Sequence, residues 1–300
     1  MSFLNVIQYR KIYLSIAISF VILSWVAILV FGLKPGIDLS GGTEWQITFE
    51  RNNISSKQIE EILISGGLNE FVVLDFGGGT FLIRSSQINF TNHQKYFDDL
   101  KTKLGNLRED NFSNIGPSVS KELAKKALIA IFFVLLGISF YIAYAFRKVS
   151  RPISSWKYGL ATLVSLVHDI SVTTGFLAVL GKLKGVLIDT NSIVALLVVM
   201  GFSVHDTIVV FDRIRENLFN YRGKQINLKE IVEYSVKETF ARSVNTSLTL
   251  ILVLVAMLIF GPNSLFYFVL AMLIGTFFGT YSSIFIASPL LYLGYKESKF

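Results

Sequence analysis

Residues 191–217 read NSIVALLVVMGFSVHDTIVVFDRIREN, an apolar segment that carries His205 and Asp206 inside it before ending in charge. A second pair, His168-Asp169, interrupts another apolar run. A carboxylate at the bilayer centre costs roughly 2.5 kcal/mol or more, so it ordinarily faces a partner or a wet cavity. Three chemistries suit such residues. Two His and two Asp could supply metal ligands, but neighbours on a helix diverge by about 100°, so one pair does not readily aim both side chains at one ion. Asp169 and Asp206 could form a proteolytic dyad sharing a proton, although the pairs fall at different depths and no other feature supports peptide cleavage. Proton transfer is the third: Asp206 could alternate between a neutral form in lipid and a charged form beside a cation. Arg242, at the start of a later apolar run, is the natural cation. Equally, Arg242 could snorkel to the interface while Asp206 makes a static interhelical bond. Residue types alone leave both readings open.

The elements that must hold these residues are membrane spans. The 300 residues are 52% hydrophobic, carry a net charge of +7 and contain no cysteine, and the mean hydropathy is +0.55. Disulfides and thiolate chemistry are thereby excluded. Apolar runs of about 20 residues are long enough to cross the hydrocarbon. Six are expected, near 12–32, 125–146, 158–180, 188–211, 243–261 and 265–292. The first run is too long for a signal-peptide core, and FGLKPG after it is no small-residue cleavage site, so a cleaved leader is not expected.

Basic residues orient the bundle. Arg10 and Lys11 precede the first span. Arg147, Lys148, Arg151 and Lys157 fill the second-to-third connection, and Arg213, Arg215, Arg222, Lys224, Lys229 and Lys237 crowd the fourth-to-fifth. All fall on one side if both termini are cytoplasmic. Lys182, Lys184 and the three lysines 121, 125 and 126 lie opposite, but long domains translocate largely regardless of charge.

Residues 36–120 form the expected extracytoplasmic domain, between residues 1–35 (N-terminus and first span) and the five-span region 121–300. Thr43–Glu50 alternates as a half-buried strand. Ser55 and Gln58 make a capping-box pattern before a helix that ends at Gly66-Gly67. Strands at Glu70–Phe76 and Thr80–Ser85 flank a Gly77–Gly79 turn. Thr91 and Gln94 suggest a second capping box before a helix to Leu104, and a short strand is expected near Asn111–Ile115. The order β-α-β-β-α-β predicts a ferredoxin-like sandwich. Neither glycine cluster reads as a phosphate loop, since no GK[ST] follows and each leads into a strand.

Asp212, Arg213, Arg215 and Glu216 read as a solvated continuation of the fourth span. Leu228, Ile231, Val232 and Val236 recur at helical spacing over 228–240, which predicts an amphipathic helix lying on the inner membrane face. Gly275, Gly279, Ser282, Ser283 and Ala287 in the last span predict close helix packing.

GFSVHDTIVVFDRIREN (Gly201 to Asn217, including Asp212 and Arg213) strongly resembles the signature of the SecF family. GIDLSGGT, with Gly36, Asp38, Gly41 and Gly42, resembles the motif opening that family's outside domain. LVHDISVTTGFLAVLG, ARSVNTSLTLILVLVAMLIFG and LAMLIGTFFGTYSSIFIASPLL resemble its third, fifth and sixth spans. The resemblance implies an RND-superfamily subunit, not an enzyme and without cofactor or metal. It would act with a SecD-like subunit, the SecYEG translocon and YajC in the bacterial inner membrane, using protons to assist export of unfolded polypeptide. No nucleic-acid partner is implied. It also assigns proton coupling to Asp206 and Arg242 and leaves His168 and Asp169 as polar support. His205 stands where the family usually has asparagine, and as a group titrating near neutrality it could join the relay. Leu39 stands where phenylalanine is common, with no functional reading. The rival expectation is a half-transporter of the same superfamily that exports small lipids or drugs as a homodimer.

Overall fold

The computed structural model describes residues 5–51, 53–147, 153–221 and 227–294. Lys148, Arg151, Arg222 and Lys224, counted above for orientation, lie outside the described residues. The chain divides into two compact units, Pro35–Leu128 and a helical unit formed by Met1–Lys34 with Ile129–Phe300. It is a polytopic helical membrane protein with a ferredoxin-like α+β unit inserted after its first span.

The α+β unit contains β1 (Gly42–Phe49), α3 (Ser56–Gly66), β2 (Phe71–Gly77), β3 (Thr80–Ser85), α4 (Phe90–Leu104) and β4 (Leu107–Ile115), after a one-turn helix α2 (Ile37–Ser40). Every strand pairing is antiparallel, in the order β2-β3-β1-β4. Alternation along β1 sends Trp45, Ile47 and Phe49 into a core with Ile59 and Leu63 of α3 and Tyr96 and Leu100 of α4. The SGG segment entering β1 requires its glycines. Gly42 has φ +125°, and a Cβ there would lie 2.6 Å from the Ser85 carbonyl oxygen. The Gly77–Gly79 turn holds φ of +80°, +62° and +79°, backbone that only glycine adopts cheaply.

Ser55 and Gln58 form the expected capping box. Two local expectations are corrected. Asn89, not Thr91, caps α4, accepting the Asn92 amide at 2.8 Å. A side chain two residues earlier thus reaches the free N–H first. β4 starts at Leu107 rather than near Asn111, because pairing with β1 continues through a register shift at Gln46/Ile47 that disrupts the alternation sought in the sequence. The turn of helix α2 was not foreseen, being too short to show a period.

The helical unit contains α1 (Arg10–Phe31), α5 (Pro117–Ala145, whose first turns fall in the other unit), α6 (Ser155–Lys184), α7 (Thr190–Asn220), α8 (Leu228–Phe260), α9 (Phe266–Ser282) and α10 (Ser288–Leu293). Among the described residues six apolar helices are long enough to cross a membrane, the last running through α9 and α10. Burial is uneven: 56% of the apolar window of α6 and 50% of that of α7 are inside the protein, against 11% for α1 and 6% for α5. α6, α7 and α9 are therefore the inner helices. Small residues let them approach. A Cβ at Gly275 or Gly279 would run into Val199 or Ser203 of α7, one at Gly175 into Ser24 of α1, and one at Gly159 into the Ser139 carbonyl of α5. Between α9 and α10, Ser283–Ala287 form one π turn. Pro289 has no N–H for the Phe285 carbonyl and its ring crowds that oxygen, so the ladder widens there.

The amphipathic stretch 228–240 corrects another expectation. It does not form a separate helix on the membrane face but is the first third of α8, continuous with the fifth span. Leu228, Ile231, Val232 and Val236 join the bundle core with Phe211, Ile214 and Leu218 of α7. A second helix with its own apolar stripe was available, so helix–helix packing removed that stripe from water.

Candidate functional site: two buried aspartates between the inner helices

Asp206 is buried at the middle of α7. Its Oδ2 accepts a hydrogen bond from Ser247 Oγ of α8 at 2.9 Å, and Thr280 Oγ1 of α9 donates to Ser247 Oγ at 2.6 Å. Among the described residues Asp206 Oδ1 has no hydrogen-bond partner, and neither does the Ser243 hydroxyl one turn before Ser247. The Ser247 hydroxyl has a single proton and two acceptors in reach, Asp206 Oδ2 and the Ser243 carbonyl at 2.8 Å. When Asp206 is ionised, that proton must serve the carboxylate. When Asp206 is protonated, it donates to Ser247 Oγ itself and Ser247 is released to its own helix. The hydroxyl chain from Asp206 thus runs to α8 and on to α9.

Asp169 of α6 is fully buried and differently furnished. Its Oδ1 meets His168 Nδ1 at 2.8 Å, while Oδ2 accepts from Ser203 Oγ of α7 at 2.6 Å and Ser282 Oγ of α9 at 2.7 Å. The His168 ring thus turns back onto its neighbour despite the angle between adjacent positions. Ser203 stands one turn before Asp206 on α7, and Ser282 stands two residues after Thr280 on α9. Asp169 is thus linked by hydroxyls to α7 and α9, and Asp206 to α8 and through it to α9, so that both acids reach α9.

Arg242 is not brought to Asp206. It is exposed and makes no ion pair among the described residues. Five residues of α8 separate it from Ser247, about 140° around the helix and about 7.5 Å along it. Arg242 instead lines a cleft with Asp212, Arg213, Glu216 and Glu238. His205 is exposed beside Asp206 and makes no side-chain hydrogen bond among the described residues. In the cleft, Arg213 grips Glu238 of α8 through Nε at 2.6 Å and Nη2 at 2.7 Å, and reaches Glu216 at 2.7 Å. Asn217 adds bonds to Ser235 and Glu238, and Arg215 pairs with Asp212. The charged end of α7 is thus strapped to α8 rather than simply solvated.

Gly36, Gly41 and Gly42 frame α2 in the other unit, with Asp38 in its first turn. A Cβ at Gly41 would press on Ser120 Oγ at 3.2 Å. These residues shape the entry to β1. Sequence reasoning missed Ser203, Ser243, Ser247 and Thr280, and read Ser282 for packing alone. Ser243 and Ser247 share a face of α8 at i, i+4, and Ser203 shares one with Asp206 at i, i+3. That spacing was the available signal.

Buried carboxylates threaded through hydroxyls, inside a six-span bundle with an inserted ferredoxin-like unit, define a class of membrane protein built to hold charge between helices. Residues 95–297 match the C-terminal region of the protein export membrane proteins SecD/SecF, and residues 26–52 match the SecD/SecF GG motif. The chain is 41% identical over 300 residues to the protein translocase subunit SecF of Thermobaculum terrenum, covering 96% of this chain and 93% of that one. It is 32% identical over 294 residues to the protein translocase subunit SecDF of Bacillus subtilis, covering 96% of this chain but only 37% of that one. The crystal structure of SecDF from Thermus thermophilus, described as a translocon-associated membrane protein, superposes with a TM-score of 0.83 at 28% identity, over 96% of this chain and 38% of that chain. The chain belongs to the SecF family.

Proposed function

We propose that this chain is the SecF subunit of a Sec translocase accessory complex and couples proton movement at Asp206 to late steps of polypeptide export. The observation that carries this reading is the orphaned Oδ1 of a buried carboxylate whose other oxygen meets one hydroxyl chain. An anion so poorly solvated is costly, by about 1–3 kcal/mol or more, whereas the acid form donates to Ser247. Cycling between the two rearranges hydroxyls on α8 and α9. One proton crossing 100 mV carries ~2.3 kcal/mol, enough to shift a two-state equilibrium about fiftyfold.

The charge bias of the connections supports cytoplasmic termini in a bacterial inner membrane, with the α+β unit on the far side, where it would move and pull or trap emerging polypeptide. This chain spans little more than a third of the SecDF relatives, which supports a SecD-like counterpart occupying the remaining length. SecYEG and YajC complete the proposed partners. The chain does no covalent chemistry in this scheme. Arg242, in its acid-lined cleft, serves as the charged mouth through which a proton reaches or leaves Asp206, and His205 tunes that acid from outside the core.

Asp206→Asn keeps the shape and one acceptor but removes the titration. In energised vesicles this variant should insert normally, while export loses its dependence on the proton gradient. Gradient-dependent export at the native rate would exclude the assignment.

A further inference from the structure

We infer that the Arg213–Glu238 ion pair is the gate on the path by which solvent reaches Asp206 from the charged ends of α7 and α8, and that Arg242 is the partner Glu238 takes when the gate opens. The purpose of such a gate rests on the coupling role proposed for Asp206; its existence does not. The cleft beside the pair holds about 390 Å³ between the two helices, room for on the order of ten waters at about 30 Å³ each. Val209 is the first residue of α7 to line it, and Thr239 lines it from α8. One turn further in, on the same faces, stand Asp206, three residues before Val209, and Ser243, four residues after Thr239. Both are 1% exposed. Among the described residues Asp206 Oδ1 and the Ser243 hydroxyl have no hydrogen-bond partner. The cleft therefore stops one helical turn, about 5 Å, short of the acid.

Across that cleft Arg213 holds Glu238 through Nε at 2.6 Å and Nη2 at 2.7 Å, a two-pronged bond that clamps α7 to α8. Each member also has an alternative on its own helix. Arg213 Nη1 already reaches Glu216 at 2.7 Å. Glu238 stands four residues before Arg242 on α8, and both line the cleft. A glutamate four places ahead of a cation is the favoured order on a helix. Arg242 makes no ion pair among the described residues. Exchanging the interhelical pair for Arg213–Glu216 on α7 and Glu238–Arg242 on α8 thus leaves all these charges paired while it unclamps the helices. The side chains of the closed pair are 33% and 25% exposed, and pairs this wet are weak. Two arrangements of one set of charges therefore compete within a small margin, which is what lets a pair of packed elements switch. The Asp212–Arg215 pair lies on α7 alone and takes no part in the exchange.

The chain has no cysteine, so Ser243→Cys places a single reporter thiol in the full chain. In lipid nanodiscs, its rate of reaction with two water-soluble methanethiosulfonates, one cationic and one anionic, reads how often solvent reaches the turn beyond the cleft. In that background Arg213→Gln removes the clamp and should speed labelling by up to about fivefold, the size an exposed pair supports. Arg242→Gln withdraws the partner of the open arrangement and should slow labelling by both reagents, which a plain change of surface charge would not do. Arg213→Glu combined with Glu238→Arg restores a pair across the cleft and sets like charges at both alternatives. It should return labelling to the starting rate or below. Arg215→Gln should leave the rate unchanged. Labelling unmoved by Arg213→Gln, moved in the same direction by Arg242→Gln, or as fast in the exchanged pair as in Arg213→Gln would overturn the inference. None of these readings needs export. The expected labelling beside native gradient-dependent export in Asp206→Asn would leave the gate standing and remove the coupling assignment, and the converse would remove the gate alone.

Discussion

Asp169 and Asp206 reach α7 one turn apart, yet their surroundings differ in kind. Asp169 has both oxygens occupied by donors from three helices, one of them a histidine. Asp206 has one oxygen on a serine and the other unpaired. The first arrangement ties α6, α7 and α9 together. The second leaves one oxygen open, the feature on which the proposed coupling role rests. A buried carboxylate is therefore not one kind of object, and its neighbours' hydroxyls decide its role.

The sharpest way to break the comparison is to truncate each acid. Asp169→Ala strands His168, Ser203 and Ser282 and should cost about 2–3 kcal/mol, two interhelical bonds plus the histidine pair, at up to ~1.7 kcal/mol per interhelical bond. Asp206→Ala should cost about 1 kcal/mol by the same scale. Thermal unfolding in mild detergent ranks them, and an equal or reversed order would contradict the distinction. Next, Gly279→Val drives a side chain into Ser203 and should pry α9 from α7 at the Asp169 contact, lowering the melting point while leaving an unpaired acid still exchangeable. Ser247→Ala should do the opposite. Stability should fall by only about 0.6 kcal/mol, and under the proposed function the gradient dependence of export should change because Asp206 loses the hydroxyl that meets its Oδ2.

At the cleft, Glu238→Gln weakens the two-pronged Arg213 contact, and for this exposed pair the loss in melting temperature should be smaller than for either aspartate and smaller still in high salt. The smallest effect lies in the α+β unit. Asp110 is held below its ordinary carboxylate value first by the Thr48 hydroxyl and then by Arg108. Being depressed in the folded protein, it contributes stability above about pH 3.9 that disappears as pH falls through the folded value. Hydrogen exchange of the β1 and β4 amides should show this acid-side loosening in the native chain and less of it in Thr48→Val.

Much of the architecture was legible because it follows from periodicity and local chemistry. The six spans, the capping box at Ser55, the glycine turn at Gly77–Gly79 and the β-α-β-β-α-β order all depend on residues near one another in the chain. The errors were local where two signals competed, as at Asn89 against Thr91, and nonlocal where packing intervened. The apolar stripe of 228–240 has the same pattern whether it lies on lipid or on α7, and only the presence of Phe211, Ile214 and Leu218 across the gap separates the two. Arg242 was the natural cation by position along the chain, but its angle on α8 points it away from Ser247 and the acid.

By itself the sequence determined that charge sits inside a six-span bundle and which two aspartates carry it, because burying a carboxylate in an apolar run is costly wherever the helix faces. It also determined the family, through motifs that cover nearly the whole chain. Only the tertiary structure decided which hydroxyls meet each acid. Helix rotation and close approach at Gly275 and Gly279 arise from the packing of several helices at once, and no single helix's residue pattern specifies them. That geometry joined Asp169 to His168, Ser203 and Ser282, and left Asp206 with one serine and a free oxygen.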